Sequence, residues 1–140
     1  MFGSCKLLVF VWLFCFSGCD SSDNAYKTIS TEEFSKLIQD KNVQRLDVRK
    51  LEEFNEGHIP GSLHIDVLKD DFESLAESRL DKNKPVALYC RSGKRSKQAS
   101  SVLSKKGFQV YELDGGFLAW EKAGLEIDKT VISLPEREGE

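Results

Sequence analysis

The chain has 140 residues, 40% of them apolar and 31% charged, a composition that gives room for one globular domain of ordinary size. A net charge of −3 carries no electrostatic footprint for a nucleic-acid partner, and no internal repeat or low-complexity tract appears.

The first 18 residues read as a leader rather than as part of the fold. Lys6 precedes the ten-residue apolar run Leu7–Phe16, half the roughly 20 residues a membrane-spanning helix needs, which is the pattern of a signal-peptide core. The following Phe16-Ser17-Gly18-Cys19 resembles the lipobox of bacterial lipoproteins. That resemblance implies cleavage before Cys19, a lipid on Cys19, and a mature protein exported and anchored on the periplasmic side of a cell-envelope membrane. Residues 19–26 then form a polar tether. Of the four cysteines, Cys5 and Cys15 fall in the leader and Cys19 would be acylated, so Cys90 is left as a lone thiol with no resolving partner. That disfavours thioredoxin-like redox chemistry.

The folded domain is expected to span residues 27–124. Ser30 and Glu33 fit a capping box, and Phe34, Leu37 and Ile38 share a face, which predicts an amphipathic helix over Thr31–Asp40. Val43–Val48 reads as a strand ending in Asp47-Val48-Arg49. A short helical turn at Glu52–Phe54 follows, in which Arg49 and Glu53 are spaced for an i,i+4 ion pair. Gly57-His58-Ile59-Pro60-Gly61-Ser62 marks a tight turn before a short strand at Leu63–Ile65, and His58 inside it reads as structural. His64 lacks a partner at metal-ligand spacing, so no metal site is expected, and no cofactor either.

Asp66–Leu80 places Val67, Leu68, Phe72, Leu75 and Ala76 on one helical face. Val86–Tyr89 after Pro85 predicts a strand buried on both sides, and Lys94–Lys106 a helix capped by Gly107 with Ala99, Val102 and Leu103 as its buried stripe. Phe108–Leu113 is a further strand, Gly115-Gly116 opens the last helix with Trp120 in the core, and residues 125–140 form an irregular, charged tail. Strands alternating with helices predict an α/β domain with a mostly parallel sheet flanked by helices, whose ligands sit beyond the carboxyl ends of the strands.

Cys90 lies at such an end, where a strand hands over to a helix. Loop N–H groups and the free N–H groups of the helix's first turn converge there, and the helix dipole adds partial positive charge. Arg91, Lys94 and Arg95 contribute formal charge, Arg95 being the one expected to turn inward toward a bound anion, while Ser92, Gly93 and Ser96 complete the loop. A thiolate at Cys90 is favoured by all of these. The C-x4-R spacing from Cys90 to Arg95 is one residue shorter than the C-x5-R loop of cysteine-dependent phosphatases, and the smaller ring suits a smaller anion, such as the terminal sulfur of a persulfide.

Cys90-Arg91-Ser92-Gly93-Lys94-Arg95-Ser96 resembles the active-site loop of the rhodanese family of sulfurtransferases. Leu46-Asp47-Val48-Arg49 through Gly57-His58-Ile59-Pro60-Gly61-Ser62-Leu63 resembles that family's preceding signature, and Gly115-Gly116-Phe117-Leu118-Ala119-Trp120 its closing element. The resemblance implies a single rhodanese-like domain and a two-step transfer of sulfane sulfur. Cys90 would take sulfur from a small anionic donor such as thiosulfate, hold it as a persulfide, and pass it to cyanide or a thiol. Residues 91–96 would bind the donor and Asp47 and Arg49 would support them, Asp47 as a candidate to orient a loop arginine. Two other classes compete with this reading: a persulfide carrier or partner-binding module without turnover, and a phosphatase or arsenate reductase built on a similar loop.

Overall fold

The computed structural model describes residues 26–133; the leader, the lipidation residue Cys19 and nearly all of the 19–26 tether lie outside the described residues, as does the tail from 134. Five strands alternate with five helices: β1 (Tyr26–Ile29), α1 (Thr31–Leu37), β2 (Gln44–Asp47), α2 (Leu51–Glu56), β3 (Leu63–His64), α3 (Phe72–Arg79), β4 (Val86–Tyr89), α4 (Lys94–Lys105), β5 (Val110–Leu113) and α5 (Gly116–Lys122). The strands pair in the order β1-β5-β4-β2-β3, all parallel, so the α/β expectation holds.

β4 lies at the centre because all four of its residues are apolar enough to be covered on both faces, and all four are buried. On one face Leu46, Val86, Leu88 and Val110 pack with Phe72 and Ala76 of α3 and Ala99 and Leu103 of α4. On the other, Ala87, Tyr89 and Leu113 pack with Phe34 of α1 and Phe117 and Trp120 of α5. The sheet is thus clamped between two helical layers, and its carboxyl edge presents Asp47, Cys90 and Leu113 to one side of the molecule.

Several boundaries differ from expectation for local reasons. The Ser30–Glu33 capping box forms, with Ser30 Oγ accepting from the Glu33 N–H at 3.2 Å and Glu33 Oε2 accepting from the Ser30 N–H at 3.3 Å. The helix it starts ends at Leu37 rather than Asp40, because Gln39 and Asp40 bond back three residues, to the Lys36 and Leu37 carbonyls, and so tighten the last turn. The third helix covers only Phe72–Arg79. Asp66 captures the Leu68 N–H with its own carboxylate at 2.9 Å, a local turn that competes with helix, and Leu68 is 53% exposed rather than part of the buried face. β1 went unassigned in the sequence because its Tyr-Lys-Thr-Ile pattern is half-exposed; only its register with β5 makes it a strand.

Candidate active site

Cys90 follows β4 directly, and its side chain is 1% exposed. The chain then turns through Arg91 and Ser92 to Gly93, whose φ of 111° lies in the left-handed region and lets it cap α4 without a side chain. That conformation points the Gly93 N–H at Cys90 Sγ, 3.1 Å away. Ser96, fully buried one turn into α4, brings its Oγ to 3.4 Å from the same sulfur. Burial pushes the thiol up, but the Ser96 hydroxyl and the backbone N–H groups of Ser96, Gly93 and Ser92 outweigh it, and the Cys90 thiol ends below the usual cysteine range. The loop is a cup of donors around one sulfur atom.

The first turn of α5 braces that cup from outside. The Phe117 N–H donates to the Cys90 carbonyl at 2.8 Å and the Leu118 N–H to the Arg91 carbonyl at 3.1 Å. Gly116 makes this approach possible: a Cβ there would fall 2.6 Å from both carbonyl oxygens. The reason for the second glycine of the Gly115-Gly116 pair is therefore the nucleophile's own backbone.

The loop cations do not act alike. Arg91 and Lys94 are exposed. Arg95 does not turn inward as a free cation toward the sulfur; it forms a two-pronged pair with Glu53 of α2, at 2.7 and 2.8 Å. The Arg95 guanidinium, helped by the Lys50 N–H against the upward push of burial, holds the Glu53 carboxyl down to about 2. This corrects the expected Arg49–Glu53 pair, because Arg49 has a nearer acid.

Asp47 and Arg49 are both buried and bonded to each other, with Arg49 Nη2 donating to Asp47 Oδ2 at 2.7 Å and Nε to Oδ1 at 3.0 Å. Arg49 Nη2 also donates to the Gly57 carbonyl at 2.7 Å, and its guanidinium lies 4.2 Å from the Phe117 ring centre. Asp47 thus orients Arg49 rather than an arginine of the loop, and the pair ties the 57–62 turn to α5. His58 is part of that turn: it stacks on Phe54 at 3.7 Å and bonds the Phe54 carbonyl through Nδ1 at 2.9 Å. His64 reaches the Arg49 carbonyl through Nε2 at 2.6 Å. Trp120 is 4% exposed, a core residue whose indole N–H donates to the Glu126 carbonyl. Past residue 124 the chain packs back on the domain, where His58 and Asp128 exchange backbone bonds and Asn55 brackets Ile132.

One acid near the site was not singled out in the sequence. Glu112 of β5 is fully buried, accepting from Ser96 Oγ at 2.6 Å and from Thr28 Oγ1 at 2.7 Å, with Lys97 Nζ 3.3 Å away. Its signal was available: it has the same parity along the strand as Phe108 and Val110, so a pleated strand turns it toward the apolar α4 face.

The model of the rhodanese-like domain matches residues 30–123. The chain belongs to the rhodanese-like family. Among its relatives, the thiosulfate sulfurtransferase GlpE of Shewanella oneidensis is 34% identical over 103 residues, covering 71% of this chain and 97% of that protein. The putative sulfurtransferase YtwF of Bacillus subtilis is 38% identical over 96 residues, covering 68% of this chain and 90% of that one. The crystal structure of a rhodanese-like domain protein from Staphylococcus aureus superimposes with a TM-score of 0.62 at 35% identity, covering 73% of this chain and 98% of that chain. The loop, the turn and the Gly-Gly element described above are this rhodanese-like domain's three contributions to one edge of its sheet.

Proposed function

We propose that this rhodanese-like protein is a thiosulfate sulfurtransferase-like enzyme that carries sulfane sulfur as a persulfide on Cys90. The observation that carries the reading is the cup itself: three backbone N–H groups are directed at a sulfur that also touches the Ser96 hydroxyl, and its thiol is already lowered. The names and sequence similarity of the GlpE and YtwF relatives support the same class of chemistry.

In this mechanism the Cys90 thiolate attacks the outer sulfur of thiosulfate. A bond forms between Sγ and that sulfur, the donor's S–S bond breaks, and sulfite leaves with the electron pair. The persulfide's terminal sulfur anion takes over the loop donors that held the thiolate, so they need no rearrangement as charge moves outward by one atom. Arg91 and Lys94, exposed beside the loop, attract the anionic donor; Arg95, neutralised by Glu53, shapes the loop more than it charges it. A cyanide or thiol acceptor then attacks the terminal sulfur and regenerates Cys90.

The test is intact mass of the protein before and after thiosulfate, then cyanide with thiocyanate detection. The expected result is a gain of one sulfur that cyanide removes, absent in Cys90→Ser together with all turnover. A Cys90→Ser protein that still makes thiocyanate would overturn the mechanism, and an intact thiol that gains no mass would favour a carrier fed by another donor.

We further propose that the domain works at a membrane surface, held by a lipid on Cys19 on the periplasmic side of a bacterial envelope. The support is the Leu7–Phe16 core and Ser17-Gly18-Cys19 ahead of a polar tether. Labelled fatty acid incorporated by the wild type and lost in Cys19→Ala is the expected result; equal labelling of both would refute it.

A further inference from the structure

Glu112 is a fully buried carboxylate two bonds' reach from the nucleophile, and the sulfur-transfer steps above leave it without a task. We infer that Glu112 holds the Cys90 proton during sulfur transfer, receiving it through the Ser96 hydroxyl when the persulfide forms and returning it to Sγ when the sulfur leaves. The inference rests on the persulfide reading above.

Ser96 Oγ lies 3.4 Å from Cys90 Sγ and 2.6 Å from Glu112 Oε1, yet a hydroxyl has a single proton to give. When Cys90 is a thiol, its S–H donates to Ser96 and Ser96 donates to an ionised Glu112. When Cys90 is an anion, Ser96 must turn its proton to the sulfur, and Glu112 keeps a short contact with Ser96 only by becoming the donor. The chain therefore has two complementary settings, and moving between them transfers one proton from sulfur to carboxyl.

Cys90 is buried, 1% exposed, whereas Glu112 abuts Lys97, whose side chain is 51% exposed. The groups that face Glu112 are few. Thr28 of β1 donates to Oε2, Ser96 and Lys97 come from α4, and its register neighbour on β4 is the apolar Leu88; among the described residues Lys97 is its charged partner. One cation and two hydroxyls surround the carboxylate, and one of those hydroxyls, Ser96, also touches the sulfur.

Loading then starts with the thiol proton passing to Ser96 and the Ser96 proton to Glu112, which leaves the thiolate that attacks; the Sγ–sulfur bond forms, the donor's S–S bond breaks and its leaving group departs with that pair. In discharge the acceptor thiolate attacks the terminal sulfur and the Sγ–S bond breaks. Sγ keeps that pair and takes the proton back along the same two steps.

The test separates proton transfer from thiol ionisation. Persulfide is installed with inorganic polysulfide and verified by mass, so the measurement does not depend on thiosulfate as donor. Two rates are followed between pH 5.5 and 9 in wild type and Glu112→Gln: alkylation of Cys90 by iodoacetamide, and discharge of the persulfide to a small thiol. Removing a buried negative charge favours the thiolate, so Glu112→Gln alkylates at pH 7 at least as fast as wild type, but discharges at least about tenfold more slowly. Discharge that is unchanged, or that moves in step with alkylation, would show Glu112 to be a structural tie and overturn the relay. If Glu112→Gln does not fold, Ser96→Ala breaks the same chain while leaving Glu112 on Lys97 and Thr28. There discharge must fall about tenfold further than alkylation, and an equal fall in both would overturn the inference.

Discussion

Two fully buried acids flank the nucleophile's strand, Asp47 at the end of β2 on one side and Glu112 near the end of β5 on the other. Asp47 is committed: Arg49 covers both of its oxygens, and Arg49 is itself buried and bonded onward to Gly57. Glu112 is shared among two hydroxyls and a half-exposed lysine, one of those hydroxyls also touching the reactive sulfur. The difference lies in what each side chain can exchange. A carboxylate with both oxygens covered by one buried guanidinium serves as framework, whereas one beside the nucleophile that shares a hydroxyl with the sulfur has a proton to trade.

The largest effect that would break this comparison comes from opening the closed pair. Arg49→Met removes the only charge facing Asp47 among the described residues and leaves a buried carboxylate uncompensated, a change that costs about 3–5 kcal/mol. Lys97→Met, taking the cation from Glu112, is expected to cost under about 1 kcal/mol, because that lysine is half in water and two hydroxyls remain. Chemical denaturation of both variants beside wild type measures the contrast. Equal losses would mean that the two acids are held in the same way.

Next comes the brace on the nucleophile. Gly116→Ala would place a methyl 2.6 Å from the Cys90 and Arg91 carbonyl oxygens, at a φ of 60° that itself costs an alanine roughly 1–3 kcal/mol. Both obstacles are backbone, so neither can swing aside. Stability falls by that strain or more, and sulfur loading per folded molecule falls as well, because the Cys90 carbonyl is displaced. Gly107→Ala, also in left-handed conformation but with nothing within 4 Å of its Cβ, pays the backbone strain alone and should load sulfur normally. Identical loading rates in the two variants would remove the brace from the account.

These residues also mark how far the sequence could be read. The nucleophile, its loop and the strand-to-helix handover were legible because they are contiguous: Val86 to Ser96 carries buried strand, cysteine, glycine turn and helix start in eleven residues. The parallel α/β order followed from alternation alone. Pairings across long separations were not legible. Arg95 finds Glu53 forty-two positions away and Ser96 finds Glu112 sixteen away, and each replaced a nearer partner that helical spacing had offered or none at all. The third helix was read with too early a start because an aspartate's own turn competed with periodicity, and β1 was missed because an edge strand of four residues has too little pattern to show without its partner.

A smaller effect distinguishes the rim from the interior. Glu53 is held near 2 by Arg95, against an ordinary value of 4.5. A lowered carboxyl stabilises the fold fully above its unfolded value, so this contribution is intact at neutral pH, begins to fade below about pH 4.5 and is gone as pH falls through 2. In Glu53→Gln that part of the acid sensitivity should vanish: the difference in melting temperature between variant and wild type narrows as pH drops from 5 to 2. A difference that stays constant across that range would show that the pair adds nothing measurable to stability.

The smallest expected change concerns another buried polar group, on the α4 side of the sheet that Glu112 faces. Ser100 of α4 is fully buried, and its hydroxyl is the buried side-chain oxygen without a hydrogen-bond partner among the described residues. It lies one turn beyond Ser96, so the two serines differ in a single respect: Ser96 has Glu112 and the sulfur to bond, and Ser100 has neither. An unpartnered buried hydroxyl costs about 1–3 kcal/mol of desolvation, and alanine removes that cost while leaving a methyl-sized gap to set against it. Ser100→Ala should therefore be neutral to stabilising by about 1 kcal/mol, with sulfur loading unchanged, whereas Ser96→Ala loses activity out of proportion to stability. A Ser100→Ala protein destabilised as much as Ser96→Ala would mean that both hydroxyls serve the helix and neither serves the sulfur.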